Sequence, residues 1–311
     1  MGKWQWPSLR FPKLHFRVCD QVLFAALLFE AVLNFIPASV LAQEGSGKSP
    51  PANTSFDGTY VIHLSESARV RSSARPEPGY FDTLAIELFV KAGIKVEIMP
   101  QMPWKRQLEL AERETGHVIY PTTRIDYRED LFQWVGPVSR TFWNLYGFTD
   151  SGWADMDFKT LLRDARIGVL LGSARESYLR ERGAKQLIMV PREELLLPMM
   201  MAGRVDLIAI GGNILRHYVD EAREEDPGIP DISGAAPYRI CYLYIAISGA
   251  VPEGDVKKLQ AQLDTFKRDG FFVENRGTHG LSTNLDSSFL KAMLNLDNNG
   301  ISCVDVDRVG P

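Results

Sequence analysis

The stretch "IKVEIMPQMPWKRQLELAERETGHVIYP", residues 94–121, decides the fold. Its first six residues alternate apolar and polar, the period of a half-buried strand. Pro103 then opens a helix, since its fixed φ suits a first helical turn. Trp104, Leu108 and Ala111 share one face of that helix, and Gly116 is its stop. "HVIYP" (117–121) is a second short strand. A strand, a helix and a strand in such quick succession make a parallel pair with the helix on its face.

The same grammar extends outward. "TYVIHLSE" (59–66) reads as a strand, and Phe81, Leu84, Ala85, Leu88, Phe89 and Ala92 recur at helical spacing before Gly93. The pattern then restarts. "RIGVLL" (166–171), "QLIMV" (186–190) and "VDLIAI" (205–210) are strands, with helices near 174–182, 193–203 and 213–224. Between the two α/β units lies a linker near 140–152, and after them comes a long β-rich run, "YRICYLYIAIS" (238–248). Leu259, Leu263 and Phe266 mark a further helix, and one more is expected near 286–296. A long strand after the second unit takes the chain back to the first. Two crossings make a hinge and leave a cleft between lobes. The expected division is lobe 1 from 56–145 and 238–311, and lobe 2 from 146–237, each a mainly parallel sheet flanked by helices.

The N-terminus has a different character. Lys3, Arg10, Lys13 and Arg17 precede the apolar run 21–42, which ends in Val40-Leu41-Ala42. This is the layout of a secretory signal peptide cut after Ala42. Glu30 and Pro37 count against the alternative, an uncleaved membrane anchor. Loss of the segment's four basic and two acidic residues makes the mature chain two charges more negative than the full chain's -4. "QEGSGKSPPANTS" (43–55) reads as a flexible leader.

That charge gives nucleic-acid binding no electrostatic support. The five histidines are scattered, with no metal-ligand spacing. "LLGSA" lacks the second glycine of a nucleophile elbow, and no phosphate loop is present. The reading is therefore a protein without catalytic residues, metal or cofactor. Cys241 and Cys303 remain after cleavage, either paired or as separate thiols.

Residues 59–277 resemble the extracytoplasmic solute-binding proteins of the amino-acid-binding type, bacterial solute-binding protein family 3. The pieces that carry the resemblance are "PGYFDTLAIEL", "TTRIDYRED" followed by "FQWVGPV", "RIGVLLGSA", "AGRVDLIAIGGN", and "YLYIAIS" with "LDTFKRDG". The resemblance implies the two-lobed type II periplasmic binding fold, a periplasmic location, a monomer, and a small-molecule solute passed to an inner-membrane permease or receptor. It implies that Arg128 clamps a ligand carboxylate with Thr123, five residues before it, assisted by Gly172 and Ser173 at a helix start. The chemistry is sound, because a guanidinium offers a two-pronged fork to a carboxylate and helix N-termini attract anions. Arg124 falls outside the motif and is expected to face solvent or pair with an acid such as Asp126. Tyr80 and Trp104 are expected near the cleft, with core packing as the alternative for each. One position departs from the family. Gly211 stands where an aspartate would hold a ligand ammonium, so either another acid such as Glu66 replaces it or the ligand is not a typical α-amino acid. The implied function is binding for an ABC-type importer, with ligand sensing or a dehydratase-type activity as alternatives.

Overall fold

The computed structural model describes residues 56–65, 78–281 and 303–305. The signal peptide, the leader, Glu66 and the expected helix near 286–296 lie outside the described residues.

In chain order the elements are β1 (Tyr60–His63), α1 (Tyr80–Lys91), β2 (Val96–Met99), α2 (Trp104–Ala111), β3 (His117–Thr123) and β4 (Phe132–Phe148). There follow α3 (Phe158–Asp164), β5 (Arg166–Leu170), α4 (Ala174–Glu181), β6 (Gln186–Val190), α5 (Leu196–Met201), β7 (Leu207–Gly211) and α6 (Gly212–Glu225). The chain closes with β8 (Ile232–Ser248), α7 (Glu253–Arg268), α8 (Phe271–Thr278) and β9 (Cys303–Asp305). Both expected α/β units are present. Pro198 is accommodated because α5 begins only at Leu196, which places the proline in a first turn, where its missing N–H is harmless.

The strands form one sheet in the order β2-β1-β3-β8-β4-β7-β5-β6, with β9 on β8. Pairing is parallel within β2-β1-β3 and within β7-β5-β6. The two parallel groups are joined by β4 and β8, two strands of 17 residues each that run antiparallel from Phe132↔Ser248 to Phe148↔Ile232. The expected linker near 140–152 is therefore mostly strand. Residues 140–148 pair along β8, and Trp143 through Tyr146 pair with β7 as well.

Each parallel group is buried on both faces. On β3, Val118 joins an apolar cluster with Leu84, Leu88, Leu259 and Phe266, while its neighbour Ile119 joins another with Leu108, Trp134 and Tyr244. On β7, Leu207 and Ala209 pack with Leu161, Val169 and Tyr178, while Ile208 and Ile210 pack with Leu196, Met200 and Leu215. Consecutive strand residues point to opposite faces, so this split means helices on both sides of each group. Cys241 and Cys303 form a disulfide that ties β9 to β8.

A buried histidine pair lies on the first parallel group. The rings of His63 and His117 stack at 5.6 Å, and His117 Nε2 is 3.0 Å from Glu114 Oε2. Burial is the main reason that His63 has a pKa below the ordinary histidine value. The His117 charge pushes it the same way, while the Pro100 carbonyl and Glu114 oppose the shift. The unfolded chain thus takes the proton first. His63's contribution to stability is complete above the unfolded value of about 6.5 and is lost as pH falls through the depressed folded value. The urea midpoint of the wild type is expected to fall between about pH 7.5 and about pH 5.5, and His63→Gln to flatten that slope. Equal slopes in the two proteins would refute the assignment.

Candidate functional site

β3 ends at Thr123, and a short 3-10 helix, Asp126–Leu131, turns the chain into β4. Arg128 lies in that turn and is fully buried. Its Nη1 donates to Thr122 Oγ1 at 3.1 Å and its Nη2 to the Gly172 carbonyl at 2.9 Å. The guanidinium carbon lies 5.8 Å from the Trp104 ring centre and 5.2 Å from that of Tyr127. Its Nε is buried without a hydrogen-bond partner among the described residues. No carboxylate there lies within ion-pair distance of it, although the charge of Glu112 acts on it from farther off. Burial lowers its pKa, although arginine starts so far above neutrality that it stays charged. An uncompensated buried charge costs several kcal/mol even after relaxation, and ring faces and carbonyls repay only part of that. The free edge of the buried guanidinium can donate to an anion.

The other wall is the turn between β5 and α4. Gly172 has φ +74, the left-handed region that suits glycine, and a Cβ there would fall 2.8 Å from Lys105 Cδ. This close approach lets the Gly172 carbonyl accept from Trp104 Nε1 at 3.1 Å as well as from Arg128. Ser173 is the N-cap of α4, its Oγ accepting from the Glu176 N–H at 3.2 Å. Its own hydroxyl proton remains available to donate. Glu176 Oε2 accepts from the Gly172 N–H at 2.7 Å, so a carboxylate already sits at this helix start, as the helix dipole favours. Thus Arg128, Trp104 and Gly172 meet, with Ser173 adjoining, although they come from separate parts of the sheet.

The hydroxyl that accepts from Arg128 is that of Thr122, the neighbour of the expected ligand contact Thr123. Thr123 is also buried, but the two are successive strand residues and face opposite ways. Arg124 pairs with an acid, one of its two expected alternatives, with Glu129 in the place where Asp126 was the example. It makes a two-pronged ion pair with Glu129, with Nε 2.7 Å from Oε2, and lies over the Trp134 and Tyr244 rings. Tyr80 packs against Phe81, His279 and the Arg276 guanidinium, and burial pushes its phenol up to about 12. Asp206 pairs with Arg166 at 2.6 Å and fastens the start of β7 to β5.

Two residues escaped the sequence reading. Asp82 is fully buried and accepts from the Ser65 and Gly79 N–H groups and the Tyr120 hydroxyl, holding the start of α1 against β1 and β3. Arg175, in the first turn of α4, pairs with the buried Glu193 at 3.2 Å and lies beside Gly211. A cation in the first turn of a helix opposes the dipole, and that was the available signal.

Two α/β units joined by two long antiparallel strands, with an arginine from one meeting a helix start of the other, define the two-lobed architecture of type II periplasmic solute-binding proteins. No family model matches the sequence, and no curated protein matches it significantly. Solved structures do match. An amino acid ABC transporter substrate-binding protein from Streptococcus pneumoniae, bound to L-arginine, aligns with a TM-score of 0.58 at 15% identity, covering 77% of this chain and 97% of that one. A histidine kinase sensor domain with similarity to periplasmic binding proteins aligns at 0.58 and 17% identity, covering 71% and 95%. An ancestral amino-acid-binding protein, described as a precursor of cyclohexadienyl dehydratase, aligns at 0.57 and 16% identity, covering 71% and 94%. The chain therefore has the fold of the amino-acid-binding solute-binding proteins.

Proposed function

We propose that this chain is an extracytoplasmic binding protein for a small carboxylate-bearing solute. One observation carries the reading: Arg128 is fully buried, lacks a carboxylate partner among the described residues, and reaches across to the carbonyl of Gly172. In this reading residues 56–145 and 238–281 form one lobe and 146–237 the other, with β9 held on the second through Tyr178 and Arg182. The lobes close on the solute, with Arg128, Thr122 and Trp104 on one side and Gly172 and Ser173 on the other. Residues 1–42 direct the chain out of the cytoplasm, and the closed monomer is recognised by an inner-membrane permease. Support for transport comes from the substrate-binding neighbour, and the sensor-domain neighbour favours a receptor partner as the second reading.

A thermal-shift screen of the purified chain tests the proposal. Small carboxylic acids are expected to raise the melting temperature, and their neutral amides are not, because a ligand that binds only the folded state stabilises it. Consumption of the acid during the assay would favour the enzymatic alternative. Equal shifts from acids and amides would remove the carboxylate from the account.

A further inference from the structure

Arg175, two residues beyond Ser173, lies beside Gly211. Gly211 ends β7 and starts α6 with φ -75, a conformation open to any residue. A Cβ built there meets nothing closer than 3.4 Å. Its nearest neighbour is Arg175 Nη2, followed by Ile214 Cδ1 at 3.7 Å and Thr141 Oγ1 at 3.8 Å. The place beside Gly211 is therefore lined by a guanidinium and a hydroxyl. Arg175 commits Nη1 to Glu193, while its Nε is buried with no hydrogen-bond partner among the described residues. The surrounding atoms repeat that shortage of acceptors. Arg175 lies 5.7 Å over the Trp143 ring, and Trp143 packs edge-on against Tyr238 at 6.1 Å. Trp143 Nε1 and the Tyr238 hydroxyl are likewise buried without partners. Arg239, also beside Trp143, pairs with Asp305 at 2.8 Å, as Arg175 pairs with Glu193. Buried donors in folded proteins nearly always find acceptors, so a group of them left open marks where an acceptor binds. Among the described residues, an ammonium brought to the same place meets the Thr141 hydroxyl as its nearest acceptor and the Arg175 guanidinium as a like charge.

We infer that the solute is a small organic acid whose second polar group is an oxygen acceptor, a keto, hydroxyl or carboxylate oxygen, and not an ammonium. This rests on the carboxylate-binding reading above. Arg128 takes the carboxylate, and Arg175 with Thr141 receives the second oxygen. Glu193 acts as a positioning residue, holding Arg175 by Nη1 so that Nη2 faces Gly211.

The test uses pairs that share a carbon skeleton: pyruvate against L-alanine, 2-oxoisovalerate against L-valine, and 2-oxoglutarate against L-glutamate. Calorimetry on the purified chain is expected to show the oxo acid binding at least about tenfold more tightly than the amino acid in the pair that fits best. Gly211→Asp is sterically admitted and places a carboxylate beside Arg175. It is expected to shift that ratio at least about tenfold toward the amino acid, while its circular dichroism shows an intact fold. Arg175→Gln is expected to shift the ratio in the same direction. Tighter binding of the amino acid by the wild type would overturn this inference and leave the carboxylate reading standing. An unchanged ratio in a folded Gly211→Asp variant would overturn the placement of the second group. Failure of every carboxylate to bind would remove the parent reading and this one together.

Discussion

Arg128→Gln is expected to lower affinity for the bound acid by two orders of magnitude or more, while the unliganded variant melts no lower than the wild type. The two halves of this result have one cause. Arg128 is fully buried, with two neutral hydrogen-bond partners, no carboxylate within ion-pair distance among the described residues and only the charge of Glu112 farther off, so its charge is a burden until an anion arrives. Truncating one partner of a buried, hydrogen-bonded charge pair costs about 2–5 kcal/mol, a factor of roughly thirty to several thousand in affinity. Removing the same charge from the empty protein relieves desolvation. Glutamine also keeps a donor, and the Gly172 carbonyl retains its bond from Trp104. A stabilised but inactive variant is the usual mark of a residue retained for function at the expense of stability. Melting curves with and without acid supply both readouts. If Arg128→Gln instead unfolds the protein, Arg128 is a structural residue and the site lies elsewhere.

The second large effect concerns the disulfide. Cys241 and Cys303 are 62 residues apart in sequence, and they join β8 to the short strand β9. Closing a loop of that length removes conformational freedom from the unfolded chain worth about 4 kcal/mol in the chain-entropy model, with about 2–4 kcal/mol typical of measured cases. More than the bond depends on it. Asp305, two residues beyond Cys303, accepts from the Tyr178 hydroxyl and pairs with Arg239 and Arg182. The double substitution Cys241→Ala with Cys303→Ala is expected to lower the urea midpoint by about 1 M or more for a chain of this size. Reductant should produce the same shift in the wild type and none in the double variant. Matching midpoints in all three conditions would show that β9 contributes nothing to the stability of the fold.

Much of the fold was legible because hydrophobic period and breakers agreed. Alternation in 94–99, helical spacing from Trp104 to Ala111 and the glycine stops all point the same way. β4 was not legible. "FQWVGPVSRTFWNLYGF" contains a proline and lacks regular alternation, because its pairing with β8 shifts register three times and carries the strand from one lobe into the other. A strand whose partners change along its length has no single buried face to display.

The site divides in the same manner. Arg128, Gly172, Ser173 and Trp104 were found because a guanidinium and a Gly-Ser helix start have recognisable local chemistry. Thr122, which accepts from Arg128, was not singled out beside Thr123. The pairing of β3 with β8 shifts between Ile119 and Thr122, which resets the faces of the last two strand residues. A five-residue step from Arg128 cannot register that shift. The Arg124–Glu129 pair was hidden because the 3-10 turn folds a separation of five residues into contact. Arg175 was missed because its meaning depends on Gly211, 36 residues later in sequence, and only folding brings the two together.

Calorimetric titration of the most stabilising acid into wild type and Arg128→Gln, with the corresponding amide as a control, tests the central claim most directly. Saturable binding of the acid by the wild type is predicted, with at least about a hundredfold loss in Arg128→Gln and no measurable binding of the amide by either. Equal affinity of the two proteins for the acid would contradict the account, because the fully buried guanidinium would then have no part in holding the solute.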